Sequence, residues 1–410
     1  MKELLRYMAR MIRLMSLVGL MGLVGCSDDQ SPDRQWVTVE ARSCSTDFDE
    51  LGDNTRTRSW TLPDGYVLYS GINSVFAEQD NLMKKSVRVF FTKGTDYQER
   101  DLYYWEYENK WYMNTEIENT APYMYQLYGF IPVEDADGAT ISPLNGDDYT
   151  NGAELTIRGI KTVTPSDVCV IIGAKDGNED NNAYDENVPY EVSNLESGKF
   201  DVTFNSGLNA KNYIFLLFDH IYSALRFSFS VDAVYNNLRT IKLRKLELIA
   251  YSDDQGGGVP AKHDATIILH KNPGASPVAS ISFTAVSGAA NVAAEPLYDD
   301  DDGLVLSTTA SSFVGRFVPG VNTYFKLRST YDVYDKNVTA EHPEGNLIRK
   351  GCIAENSFDL RDNFGSHMEV NNGVYRTKPR HCYTYNMKVQ PTYLYVLSEP
   401  DVDNPTVVLN

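Results

Sequence analysis

The side chains that could do chemistry are few, and the most suggestive lie near the amino terminus. Cys26 ends an apolar stretch, and Arg56 and Arg58 sit in the polar passage "GDNTRTRSWTLPDG" at 52–65. A thiol in that position can be acylated. Two arginines in a polar, turn-rich passage of so acidic a chain mark a place where the backbone is open to a cut. Elsewhere there is no HExxH, GxSxG or CxxC motif, no phosphate-cradling glycine loop and no dinucleotide fingerprint. The histidines, His220, His263, His270, His342, His367 and His381, are scattered without metal-ligand spacing. Each is expected to be solvated or hydrogen-bonded for structure, with no metal and no cofactor. His381 and Cys382 are neighbours, and neighbours on a strand face opposite ways, so they form no dyad. Asp299 to Asp302 cluster carboxylates without the glutamate of a calcium loop, and a solvated acidic loop is expected. The chain is not read as an enzyme and has no catalytic residue to nominate.

The apolar stretch is preceded by Lys2, Arg6, Arg10 and Arg13 and runs from Leu14 to Val24, too short to cross a bilayer but suited to a signal peptide over 1–25. Its end, Leu23-Val24-Gly25-Cys26, resembles a bacterial lipobox, which makes Cys26 the expected lipid site. The following Ser27-Asp28-Asp29 resembles the surface-export signal of lipoproteins in some Gram-negative anaerobes. The net charge of −19 over 410 residues argues against nucleic acid and anionic lipid as partners, because such a surface repels phosphate. Segment 1–58 is nearly balanced in charge, so a chain cut at Arg58 stays as acidic. That cut would also remove Cys44, leaving Cys169, Cys352 and Cys382. Cys352 with Cys382 is the candidate disulfide, and a buried free thiol at each site is the alternative.

These groups must be positioned by strands. Period-two alternation recurs along the chain: Val87, Val89 and Phe91 in "SVRVFFTK"; Phe200, Val202 and Phe204 in "KFDVTF"; Leu225, Phe227, Phe229 and Val231 in "ALRFSFSV"; Tyr383, Tyr385, Met387 and Val389 in "CYTYNMKV". Turn-forming clusters separate them at 134–138, 144–148, 254–258, 298–303 and 318–320. The apolar phase slips between Leu243 and Leu246, as at a β-bulge. A short helix is expected only near 218–224. The reading is all-β, with two tandem β-sandwich domains, because one core stops growing before it reaches this size. The domains are expected at 59–215 and 216–410, with the boundary around Lys211 to Asp219. Tyr103, Tyr104, Trp105, Tyr107, Trp111 and Tyr112 raise a sugar-stacking surface, although strand cores use the same residues.

Segment 26–58 contains "QWVTVEAR" at 35–42, which alternates Val37, Val39 and Ala41 and reads as one removable strand. If it pairs with the first domain, a cut at Arg56 or Arg58 severs its covalent tie. Its departure would leave an apolar groove between unpaired edges, a template for another strand. The carboxy-terminal region 391–410 offers Tyr393, Tyr395 and Leu397, then Val407 and Leu409, separated by the turn-prone "SEPDVDNP".

The lipobox, the arginine pair, "HIYSALRFSFSV" (220–231), "FVPGVNTY" (317–324) and "PTYLYVLSEPDVDNPTVV" (391–408), in that order, resemble the fimbrillins, subunits of type V pili on Gram-negative anaerobes. The resemblance covers most of 26–410. It implies two transthyretin-like β-sandwich domains and export as an outer-membrane lipoprotein acylated at Cys26. It also implies cleavage after Arg58 or Arg56 by an arginine-specific surface protease, then head-to-tail polymerisation with other pilin subunits into an extracellular, adhesive fimbrium. Residues 391–410 would be the donor region. The rival expectation is an uncleaved surface lipoprotein that binds host glycans or proteins or anchors a pilus.

Overall fold

The computed structural model describes residues 34–46, 49–51, 66–68, 85–105, 110–118, 124–144, 146, 148–177, 198–205, 211–271, 278–320, 322–341, 343–390 and 406–409. The first strands are β1 (Arg34–Thr46), β2 (Asp49–Leu51), β3 (Tyr66–Leu68), β4 (Val87–Lys93), β5 (Asp96–Trp105), β6 (Lys110–Glu118) and β7 (Met124–Ile131). Then come β8 (Gly138–Pro143), β9 (Gly152–Lys161), β10 (Val163–Thr164), β11 (Cys169–Gly177), β12 (Asp201–Thr203), β13 (Lys211–His220) and β14 (Ser223–Val231). Helix α1 (Ala233–Leu238) leads to β15 (Thr240–Tyr251), β16 (Lys262–His270), β17 (Val278–Ala285), β18 (Glu295–Leu306), β19 (Ser311–Phe317), β20 (Tyr324–Tyr334) and β21 (Leu347–Asp359). Helix α2 (Leu360–Phe364), β22 (Glu369–Asn371), β23 (Val374–Arg376), β24 (His381–Gln390) and β25 (Thr406–Leu409) complete the order. The fold is all-β, as the alternation predicts.

Two units share these strands. In the first, a nine-stranded sheet runs β11-β13-β1-β6-β5-β4-β7-β12, with β3 on β1, and a further pairing of β7 with β11 closes it on itself. Alternate side chains therefore fill an interior: Val87, Val89 and Phe91 of β4, Trp111, Met113 and Ile117 of β6, and Ile214, Leu216 and Phe218 of β13. The other face of the same strands, with Phe90, Tyr128, Phe130, Val170, Phe215 and Leu217, packs on the four-stranded sheet β17-β16-β9-β8. Burial on both faces explains why β13 reads as an unbroken apolar run, "YIFLLF", rather than as an alternation. In the second unit the sheet β10-β19-β14-β24-β2, with β25 also on β24, faces β18-β15-β20-β21 across one core.

Most of the expected alternations hold. Those of "SVRVFFTK", "ALRFSFSV" and "CYTYNMKV" place their apolar sets in single cores. The slip near Leu243 is a register shift of β15 between Leu243 and Lys245 against both neighbours. Three readings change. The helix expected near 218–224 is absent: Phe218 to His220 end β13, Ser223 begins β14, and the first α-helix among the described residues is α1, capped by Asp232 through the amides of Val234 and Tyr235. Phe200 does not join Val202 and Phe204, because the strand starts only at Asp201 and the residue before it turns to the other core. The units are also not consecutive halves. All of β13 lies in the first sheet, and β16 with β17 returns from the second half to pair with β9.

The Cys352–Cys382 pair is not formed. Neither cysteine is in a disulfide and both are buried, Cys352 on β21 in the main core of the second unit and Cys382 on β24 in a small separate cluster with Ala224 and Val314. The alternative of a buried thiol at each position holds instead.

Candidate functional site

Strand β1 lies inside the closed sheet rather than at its border. It runs parallel to β13 from Thr38 opposite Lys211 to Ser45 opposite Phe218. On its other edge it runs antiparallel to β6 from Arg34 opposite Glu118 to Ala41 opposite Trp111, and then to β3 from Cys44 to Thr46. Val39 is fully buried in the interior, and the Thr38 hydroxyl donates to Asn114 Oδ1 across the ladder at 3.1 Å. The flanking walls are Trp111, Met113 and Ile117 from β6 and Ile214, Leu216 and Phe218 from β13, all buried. Trp111 is fixed in place by its indole N–H, which donates to the Lys85 carbonyl at 2.8 Å. Without β1 this arrangement is an apolar slot whose two borders, β6 and β13, carry unpaired backbone groups.

Two residues after β1, the short β2 joins the other unit. Asp49, Glu50 and Leu51 run parallel to His381, Cys382 and Tyr383 of β24. The same edge of β24 carries β25 further along, antiparallel, with Val407 opposite Val389 and Leu409 opposite Met387. Among the expected donor residues, Val407 and Leu409 thus sit on the chain's own second unit, while Tyr393, Tyr395 and Leu397 lie outside the described residues. Cys26, Arg56 and Arg58 lie outside them as well.

The aromatic cluster of 101–112 divides between two faces. Tyr104 stacks edge-on against the buried Trp111 at 5.5 Å and belongs to the interior. Tyr103 and Tyr112 are directly opposite each other on the outer face of β5 and β6, 55% and 38% exposed. The side chains of Trp105 and Tyr107 are outside the described residues. The tract Asp299–Asp302 belongs to β18, where the ladder with β15 jumps from Leu304 to Asp299. Lys245 lies 3.5 Å from Asp299, and Arg244 donates to the Asp301 carbonyl.

Sequence reasoning missed one constellation at the junction of the units. Asp167, Cys169 and His220 are buried, with ligand-type atoms within 4.8 Å of one another. His220 Nδ1 lies 2.7 Å from Asp167 Oδ2 and 3.4 Å from Cys169 Sγ. Arg316 of β19 is fully buried, with Nε 3.9 Å from the same Asp167 oxygen, and its guanidinium donates to the Pro165 carbonyl. Burial alone would lower the pKa of His220, but the Asp167 carboxylate and the nearby Cys169 outweigh it and hold the pKa well above the ordinary value. The carboxylate thus faces the His220 imidazole, whose protonated form it favours, and the Arg316 guanidinium. Beside it, Arg380 Nε lies 2.8 Å from Asp219 Oδ1. Both ion clusters tie the end of β13 to the second unit, so the constellation is a structural clasp. Its signal, acidic residues next to the ends of apolar runs ("PSDVC", "FDH"), is too common to single out.

No protein-family model and no curated protein matches the chain. Among solved structures it is similar to a candidate cell adhesion protein from Bacteroides uniformis, at 10% identity and TM-score 0.34 over 89% of this chain and 94% of that one. It is similar to a fimbrial protein from Bacteroides vulgatus, at 12% identity and TM-score 0.31 over 82% and 94%. It is also similar to the fimbrial anchor protein Mfa2 from Porphyromonas gingivalis, at 10% identity and TM-score 0.24 over 90% and 95%. Its structural neighbours are fimbrial and adhesion proteins. At these identities and scores the likeness transfers no residue role.

Proposed function

We propose that this chain is a subunit of surface fimbriae: exported as a lipoprotein acylated at Cys26, cut after Arg58 or Arg56, and polymerised by strand exchange into an adhesive fibre. The observation that supports it is the seat of β1, an interior strand of the first unit that lies wholly ahead of the arginine pair. A cut there leaves β1 held by non-covalent contacts alone. Its loss opens a slot that suits only another extended, alternating strand. A donor from a sister subunit would gain roughly 1.5–3 kcal/mol for each apolar side chain fully buried and about 1 kcal/mol net per backbone hydrogen bond. Against this stands ~1–2 kcal/mol of backbone entropy per ordered residue. Durability comes from slow withdrawal, since leaving exposes the whole slot at once. The contact is head-to-tail and does not close, so a filament grows. Other fimbrial subunits and an arginine-specific surface protease are the partners this reading requires. The precursor belongs at the outer membrane and the product in the extracellular fimbrium.

Amino-terminal sequencing of the surface-assembled protein tests it. The expected terminus follows Arg56 or Arg58, and a terminus still at acylated Cys26 refutes the cut. Replacing both arginines by alanine is expected to abolish fibres while leaving the precursor folded. A second reading, an uncleaved glycan-binding lipoprotein, draws on the exposed Tyr103 and Tyr112 pair. Glycan binding by intact monomer that is lost in Tyr112→Ala would favour it.

A further inference from the structure

We propose that the outer border of β17 is a contact site for a second copy of this chain, the two β17 strands pairing antiparallel about a two-fold axis at Ser282. The contact goes beyond the strand-exchange reading and needs neither the cut nor the tail. The first observation is the border itself. Strand β17 ends the sheet β17-β16-β9-β8, with β16 on one flank and no strand on the other among the described residues. The Val286 N–H donates to the Lys262 carbonyl at 3.0 Å. Backbone groups alternate in direction along a strand, so those of Ser280, Ser282 and Thr284 turn to β16 as well, and those of Ile281 and Phe283 turn outward.

The second observation is charge. Residues 272–294 carry no charged side chain, the longest such stretch in a chain of net charge −19. Charge or proline guards the borders of the other two four-stranded-sheet strands and of β8: Asp299–Asp302 on β18, Arg349 and Lys350 on β21, and Pro143 at the end of β8. Two molecules this acidic repel each other over most of their surface. At β17 they can meet without setting like charges opposite each other.

The third observation decides the occupant. Read from either end, "VASISFTAV" (278–286) gives the same order of side-chain types. An antiparallel pair centred on Ser282 therefore sets Val278 opposite Val286, Ala279 opposite Ala285, Ser280 opposite Thr284 and Ile281 opposite Phe283. The ladder with β16 shifts register between Ser280 and Val278, which limits the regular part of the pairing to 280–284. Ile281 and Phe283 are half-buried, opposite Ile267 and Ala265 of the core, so pairing them across the axis covers apolar surface that one molecule leaves partly open. On the other face, Thr140, Thr156, Thr266 and Ser282 stand in one row across the four strands, with the Thr156 and Thr266 hydroxyls 3.2 Å apart. Pairing at Ser282 continues that row into the second copy, hydroxyl against hydroxyl at the closer, non-hydrogen-bonded spacing. A two-fold contact closes on itself, so it gives a pair rather than a filament.

Sedimentation equilibrium of the full chain carrying Arg56→Ala and Arg58→Ala, in which β1 stays tethered, tests this. A concentration-dependent dimer is expected. Ser282→Lys sets two ammonium groups opposite each other and is expected to raise the dimer dissociation constant by about ten-fold or more. Ser282→Glu is expected to do the same, and an equimolar mixture of the two variants to dimerise again. Under mild oxidation Ser282→Cys is expected to form a covalent dimer, whereas Ser280→Cys, which would meet Thr284, is not. A chain that stays monomeric at every concentration, a dimer indifferent to both charges, or a mixture that fails to recover overturns the proposal. So does slow amide exchange at Ile281 and Phe283 in dilute monomer, which would mean that a segment of the same chain covers the border. Each of these results leaves strand exchange standing, and failure of the cut protein to polymerise leaves the β17 contact standing.

Discussion

The strands nearest the two ends of the chain are seated in opposite ways. Strand β1 is paired along both edges, to β13 on one side and to β6 and β3 on the other, with Val39 in the interior of a closed sheet. Strand β25 is a four-residue strand whose pairing among the described residues is with β24 alone. A strand held on two edges cannot leave without opening both ladders and an apolar core, whereas a strand held on one edge can peel away. Under the strand-exchange proposal the difference would assign the roles, the interior strand needing a cut to free it and the border strand being the one able to exchange its own unit for a neighbour's.

Proline scanning gives the widest separation between them. In β1, Val39→Pro removes a buried side chain, at about 1.5–3 kcal/mol, and leaves a buried carbonyl unsatisfied, at about 1–3 kcal/mol. The combined loss of roughly 2.5–6 kcal/mol should appear as a sharply lowered urea midpoint of the precursor. In β25, proline at one of the adjacent positions Val407 and Val408 should be tolerated within about 1 kcal/mol, since alternate amides of a border strand face away from the ladder. Equal losses in both strands would erase the distinction.

Met113→Ala sharpens the same contrast from the wall of the slot. In the precursor Met113 is buried beside β1 and directly opposite Val39, so truncation should cost about 2–5 kcal/mol. In the cut monomer that wall is open, and the penalty should shrink. In the polymer it should return if a donor refills the slot. Chemical denaturation of the three forms reads this directly, and an identical penalty in all three would mean that β1 never leaves.

The strand content of the molecule was legible because most strands have one face in a core and the other outside it, which writes a period of two into residues such as Leu225, Phe227, Phe229 and Val231. Where both faces are buried that period vanishes. The run at the end of β13 read as a boundary and a short helix, although it is the strand that the first unit shares between its two cores. Closure of the first sheet by β7 and β11 depends on pairing between Ile131 and Cys169, which no local pattern records. The same holds for the return of β16 and β17 to the first unit. At the candidate site, strand β1 was visible from Val37, Val39 and Ala41, but its two partners and the seat of β2 were not. The clasp of Asp167, His220 and Arg316 gathers residues from three distant segments, so only the folded chain reveals it.

That clasp supplies a pH test of how the two seats are held in line. The native pKa of His220 is raised, so its contribution to stability is fully present below the unfolded value of about 6.5 and is lost as pH rises through the native pKa. The gap in urea midpoint between wild type and His220→Gln should therefore be widest in mildly acidic buffer and should narrow toward alkaline pH. Since His220 ends β13, exchange at 381–383, where β2 crosses into the second unit, should respond more than exchange at Val39. A gap that widens with rising pH would show that the imidazole is not held as a cation.

The smallest effect is expected on the outer face of β5 and β6. Tyr103 and Tyr112 are opposite each other and exposed, so Tyr112→Ala removes a cross-strand pair worth about 0.2–1 kcal/mol. One register position away on the same two strands, Tyr104 and Trp111 face the interior, and Trp111→Ala should cost about 3–5 kcal/mol, with the slot wall and its anchor on Lys85 lost together. The two faces of one hairpin thus divide the aromatic cluster into structure and surface. If Tyr112→Ala leaves both stability and assembly unchanged but abolishes adhesion to a glycan-coated surface, the tyrosine pair is a contact site on the finished fibre. If adhesion survives, the pair is only the solvent side of a strand whose work is done by its inner face.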